Sequence, residues 1–199
     1  MENKIIKQGG ITYYVRGGYQ CYNIDIEPWV TCMQFIAGEP GDDMDYLLRD
    51  VMKQFTNVTS LVIDAGVGDI EISNFMFPNV KLVQSNCWRY KSGKYLIRSS
   101  TLLNTFCLDE EDVIDMEGID SIGVYALVGC RTLNVINVDG VSNYTSYASF
   151  TGSMFMIKPL TDNRMRLIGK IALNTCTESD TIIVPDDMEC VSDIYIFAY

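Results

Sequence analysis

The chain contains no histidine. That absence removes Ser-His-Asp and Cys-His catalysis and every metal site that needs an imidazole. The seven cysteines, Cys21, Cys32, Cys87, Cys107, Cys130, Cys176 and Cys190, include no C-x-x-C pair, so a structural zinc site is not expected. Their odd number and wide spacing argue against a disulfide framework. They read as buried, reduced thiols acting as small hydrophobes. There is no G-x-x-x-x-G-K-[ST] phosphate loop and no G-x-G-x-x-G fingerprint, and Gly66-Val67-Gly68 is too short to cradle a phosphate. No apolar run approaches the roughly 18 residues of a membrane span. The first ten residues lack the apolar core of a signal peptide, which implies either a cytoplasmic protein or a chain whose leader has been removed. Positive charge is scarce as well. Fifteen Lys and Arg stand against 26 Asp and Glu, a net charge of −11, with a pI near 4.3. Such a surface repels phosphates and anionic headgroups, so neither nucleic acid nor a membrane is expected as a partner.

What remains is a folded chain of 199 residues, 48% hydrophobic, able to bury a sizeable core. Its organising stretch is Ile119–Val138. The apolar spacing there fits neither a 3.6-residue helix nor plain alternation. It reads as a turn-like half, a Gly129-Cys130 corner and a short strand. Such a unit cannot bury its apolar side alone and predicts one rung of a stack. Related rungs lie at Val62–Val67, Val113–Ile119, Ile136–Val141 and Ile183–Met188, each an apolar strand followed by a turn with Asp and Gly or Pro. Leu61 to Val83 is 22 residues, Val113 to Ile136 is 23, and Ile136 to Ile182 is twice 23.

On these residues the chain resembles the BspA-type leucine-rich repeat, whose unit reads roughly I-G-x-x-A-F-x-G-C-x-x-L-x-x-V-x-I. Ile122-Gly123 through Ala126-Leu127, Gly129-Cys130, Leu133 and Ile136 to Val138 follow that pattern, with Leu127 in the Phe place. Val67 to Val83 and Met188 to Ile196 follow it more loosely. The resemblance covers about residues 55–199. It implies a mainly β solenoid with some α, rungs of about 22–23 residues, and β-hairpin insertions between rungs. Trp88–Ile97, turning at Lys91–Lys94, and Met154–Ile168, turning at 161–163, read as such insertions. Proteins of that family are often secreted or surface-displayed, and some take part in adhesion to host or matrix proteins.

Residues 1–57 read as an N-terminal cap. Ile11–Val15 and Tyr19–Ile26 form a hairpin around Gly17-Gly18, and Trp29–Ile36 is a candidate third strand. Tyr13, Tyr14, Tyr19 and Tyr22 suggest a carbohydrate platform, but strands favour aromatics in any case. Met44, Leu47, Leu48, Val51, Met52 and Phe55 recur at helical spacing behind Asp42 and Asp43, which predicts a helix over 43–55. Those aspartates lack the spacing of a calcium loop. Residues 58–199 form the solenoid. Its last unit, Val184–Tyr199, lacks the second half of a rung, which implies either an incomplete repeat protein or a chain that caps itself with its last aromatics.

No catalytic, cofactor or metal residues are assigned. A carboxylate pair can do glycosidase-type work, yet among 26 acidic residues nothing singles out a pair. The expected function is non-enzymatic binding of a protein partner. Strand alternation points Leu61, Ile63, Val83, Ile136, Val138, Ile182 and Val184 inward. It leaves Ser60, Val62, Gln84, Asn137 and Ile183 on the outer strand face as the candidate contact patch. The alternatives are a structural cap or spacer of a longer repeat protein and, more remotely, a carboxylate hydrolase.

Overall fold

Short strands with alternating burial, joined by corners that carry short polar side chains, set the architecture. The computed structural model describes residues 3–39, 41, 43–158, 166–173 and 190–191. The protein is mainly β, with 4% helix, and its coils stack in parallel as a β-solenoid of about six turns. It divides into two compact units, Met1–Ser99 and Ser100–Tyr199.

The first unit opens with an antiparallel meander of β1 (Asn3–Gln8), β2 (Ile11–Arg16) and β3 (Gln20–Ile26). β2 and β3 are the hairpin expected from the sequence. Gly17 and Gly18 between them take φ of 62° and 83°, which only glycine adopts cheaply. β1 was not anticipated, because as an edge strand it is exposed at nearly every position and shows no alternation. After that meander the strands up to β8 pair in parallel. β4 (Cys32–Phe35), β6 (Ser60–Ile63) and β8 (Leu82–Ser85) form one side of the coil, and β3, β5 (Met44–Leu47) and β7 (Val67–Glu71) another. The core is a set of columns running through successive coils. Met33, Leu61 and Val83 are in register and buried, as are Cys21 and Tyr46 with Ile70 one coil further on. Phe55 stacks on Phe77 at 5.6 Å.

The helix expected over 43–55 does not form. Met44–Leu47 is β5, with Met44 and Tyr46 buried and the residues between them less so, and Met52 is 97% exposed. Strands β3 and β7 on either side offer backbone partners that a helix could not use, so tertiary pairing overrides the local period. The hairpin expected over Trp88–Ile97 is present as β9 (Tyr90–Lys91) and β10 (Leu96–Arg98). Its turn closes the edge of β8. Val83 and Gly93 exchange backbone hydrogen bonds of 2.7 and 2.9 Å, and the Ser85 N–H donates to Ser92 Oγ.

The second unit repeats the plan. β11 (Thr101–Asn104), β13 (Ser121–Ile122) and β15 (Asn143–Tyr144) run parallel on one side, and β12 (Val113–Asp115) and β14 (Asn134–Ile136) on another. The Gly129-Cys130 corner forms, with Gly129 at φ 68° and Cys130 buried. After a 3-10 turn at Tyr147–Phe150 comes helix α1 (Met154–Ile157), where a hairpin strand was expected. The expected turn at 161–163 lies outside the described residues. The antiparallel pair found nearby is β16 (Arg166–Ile168) with β17 (Ile171–Leu173), and β17 pairs in parallel with β18 (Cys190–Val191).

Register gives the coil length. Cys32 to Ser60 is 28 residues and Ser60 to Leu82 is 22. Thr101 to Ser121 is 20 and Ser121 to Asn143 is 22. Corners are held by side-chain oxygens that accept the backbone N–H two residues on, the Asx and ST turn. Ser85 does this for Cys87, Asn104 for Phe106, Asp115 for Glu117, Thr132 for Asn134 and Ser146 for Ala148. Asparagines then tie coil to coil. Asn57, Asn79 and Asn134 donate to the backbone oxygens of Val30, Thr56 and Glu110.

Candidate functional site

In a stacked coil the inward half of each strand is spent on the core, and the outward half is free to meet a partner. Such faces lie on β4, β6 and β8 in the first unit and on β12 and β14 in the second.

In the first unit the face consists of two rows across β4, β6 and β8. One row is Cys32, Ser60 and Leu82; the other is Gln34, Val62 and Gln84. The structure therefore brings three of the expected residues together, with Ser60 one pair along from Val62 and Gln84. Ser60 and Val62 are half-buried and Gln84 is exposed. Sequence reading missed Leu82, which is 43% exposed, and Cys32. The buried Val83 was the available signal, since alternation puts its neighbour Leu82 outside. The face carries no formal charge. Gln34 is already engaged, donating to Asp64 at 3.1 Å and accepting from Gln8.

In the second unit the face belongs to β12 and β14, where Val113 is opposite Asn134 and Asp115 is opposite Ile136. Here the expected register is one residue out. Ile136 points outward, 48% exposed, and Val138 is only half-buried, whereas both were expected inside. The inward positions are Ile114 and Val135. Thr132 sets this register. Its buried hydroxyl donates to the Asp112 carbonyl at 2.5 Å and accepts the Asn134 N–H at 2.9 Å, fixing where β14 begins. Asn137 is exposed as expected, but it sits past the strand end in the left-handed region at φ 56°. Its amide donates to Asp115 Oδ1 at 2.9 Å. That bond, with the Glu117 N–H, holds the Asp115 carboxyl below the usual carboxylate range. Ile182, Ile183 and Val184 lie outside the described residues. Val113 and Ile136 thus stand together as outward apolar residues, and Val113 was not anticipated.

The four N-terminal tyrosines do not share one surface. Tyr13 is buried and donates to the Gln34 carbonyl at 2.7 Å. Tyr14, its neighbour on the other face of β2, donates to Asp25. Tyr22 lies under the Arg16 guanidinium. Among the described residues no three His, Cys, Asp or Glu side chains are grouped to hold a metal ion.

The expectation of buried thiols needs correction at Cys32, and Cys107 is only half-buried. Cys21, Cys87 and Cys130 are buried, but Cys32 is exposed on the outer row. Burial pushes the Cys21 thiol up to about 12 and the Cys130 thiol up to about 11. At pH 8 those two are almost entirely protonated and enclosed. Mass mapping of the native protein after brief maleimide treatment is expected to find Cys32 labelled and Cys21 and Cys130 untouched until denaturant is added. Native labelling of Cys21 would contradict the inward column.

The chain matches no family model, no curated protein and no solved structure.

Proposed function

We propose that this protein is a non-enzymatic protein-binding module, a β-solenoid of leucine-rich-repeat type. The supporting observation is the presence of Leu82, Val113 and Ile136 on outward strand rows, where alternation calls for solvent-compatible side chains. Single exposed apolar residues are ordinary. Apolar residues grouped on the outward face of a ladder, as Val113 and Ile136 are, are what a partner would cover. Coil lengths of 20–28 residues and the Gly129-Cys130 corner are in keeping with the BspA-like pattern. That resemblance implies adhesion to a host or matrix protein. The net charge of −11 disfavours nucleic acid and anionic membranes as partners.

The test is affinity capture with the full chain, using source-cell lysate and purified matrix proteins. Two variants serve as controls, Val62→Lys with Leu82→Lys and, separately, Val113→Lys with Ile136→Lys. Both sets alter exposed or half-buried positions and should fold. A protein that binds the parent directly after purification, and binds one variant at least about tenfold more weakly, supports the reading and assigns the face. If no protein distinguishes parent from variants, the reading fails in favour of a spacer segment.

A further inference from the structure

We propose that the outward face of β12 and β14 docks a protein segment in which lysine or arginine side chains flank an apolar one. The proposal rests on the protein-binding reading above and gives that partner a chemistry.

The argument starts from where the charge lies. Residues 1–99 hold 10 Lys and Arg against 11 Asp and Glu, so the first unit is nearly neutral. Residues 100–199 hold 5 against 15. Within the second unit the acids concentrate around one ladder. Residues 108–130 carry seven carboxylates and no basic side chain. Glu110 and Glu111 lead into β12 on the side where Asn134 reaches the Glu110 carbonyl. Asp115 ends the strand, where Asn137 binds it, and Glu117 follows. Val113 and Ile136 lie between these two acidic ends, diagonal to each other across the strand pair.

The apolar patch is two side chains wide, too small to hold a partner by burial alone. The surrounding carboxylates must therefore contribute. Glu110, Glu111 and Glu117 have no ion-pair partner among the described residues, and all three are exposed. Arg131, the first cation after this stretch, pairs with Asp109 at 3.2 Å. Covering such carboxylates with a neutral surface costs their hydration and returns nothing, so a partner that seats on Val113 and Ile136 has to bring positive charge. The spacing is also defined. On β12 the outward residues Val113 and Asp115 lie two residues of extended chain apart, about 7 Å. An extended peptide with cations at positions i and i+4 and an apolar residue at i+2 places a cation that far from its apolar residue on either side. The face of the first unit, with no charged residue in its two rows, has no such preference.

The probe is a labelled ten-residue peptide, Lys-Thr-Ile-Thr-Lys written twice, with Gln and Glu replacing Lys in two control peptides. Binding to the full chain is read by fluorescence anisotropy at low and at physiological salt. The lysine peptide is expected to bind at least about tenfold more tightly than the glutamine peptide, and more weakly as salt rises. Glu110→Gln, Glu111→Gln and Glu117→Gln together should cost about tenfold or more and flatten the salt dependence. Val113→Ser with Ile136→Ser should weaken binding while keeping that dependence. Equal binding of the lysine and glutamine peptides, or unchanged affinity in the triple glutamine variant, overturns the proposal. If the peptide fails while the lysine-substituted face variants still lose a purified partner, this inference falls and the broader binding reading stands. If those variants lose nothing either, both fall.

Discussion

Replacing Tyr46 by Phe is expected to destabilise the protein by about 1–3 kcal/mol, and replacing it by Ala by about 3–5 kcal/mol or more. Tyr46 is fully buried in the first unit, its ring edge-on to Phe35 at 4.8 Å and to Tyr13 at 6.4 Å. Its hydroxyl donates to the Ile36 carbonyl at 3.0 Å and accepts the Ile36 N–H at 2.7 Å. One side-chain group therefore satisfies both backbone groups of a residue just past β4, where no ladder continues. Phenylalanine keeps the packing and strands both groups away from water; alanine adds a cavity. Tyr90 makes the same kind of bridge, donating to the Gly68 carbonyl and accepting the Ile70 N–H, so Tyr90→Phe should cost a similar amount. Urea denaturation of parent and variants measures these differences. A Tyr46→Phe midpoint equal to the parent's would show that the bridge contributes nothing.

The same burial has a pH consequence. Desolvation pushes the phenols of Tyr13, Tyr46 and Tyr90 well above the ordinary value of 10.0. Below about pH 10 folded and unfolded chains both keep these protons, and the stabilisation is complete. As pH rises past that point the unfolded chain releases protons that the folded chain retains, and stability falls. Each such tyrosine steepens the fall by about 1.4 kcal/mol per pH unit. Tyr46→Phe should flatten the alkaline slope by one such increment, read from urea midpoints at several pH values.

The stacked character of the fold was legible because a coil that buries apolar columns must repeat its apolar spacing. Leu61, Ile63 and Val83 were placed inside on that ground, and all three are buried. The β2–β3 and β9–β10 hairpins were legible from their glycine turns and flanking β-formers. The strand at Met44–Leu47 was not. Met44, Leu47, Leu48 and Val51 satisfy a helical period as well as Met44, Tyr46 and Leu48 satisfy an alternating one. Only the parallel neighbours β3 and β7 decide between them. The outer face of the first unit was partly legible, since Ser60, Val62 and Gln84 follow from the alternation that buried Leu61 and Val83. The face of the second unit was not, because its register depends on Thr132, a polar residue that periodicity counts as surface and the fold buries.

That register gives the second large effect. Ile114→Ala should cost about 2–5 kcal/mol, whereas Ile136→Ala should change stability by no more than about 0.5 kcal/mol. Both residues lie on β12 and β14 of one ladder, yet Ile114 is fully buried and Ile136 is 48% exposed. Truncating Ile114 opens a cavity beside Val135 that the coil cannot collapse to fill, since its backbone is tied to the next strand residue by residue. Truncating Ile136 removes methyl groups that water already reaches. The expectation from apolar spacing alone was the reverse, with Ile136 inside, so the pair of variants separates the two registers. Thr132→Val tests the cause. Its shape is nearly unchanged, but it leaves the Asp112 carbonyl and the Asn134 N–H without the hydroxyl they share, a loss of about 1–3 kcal/mol. A large loss at Ile136 with none at Ile114 would shift the ladder by one residue. Val113 and Ile136 would then lie in the core, and the cation-seeking face built on them could not exist.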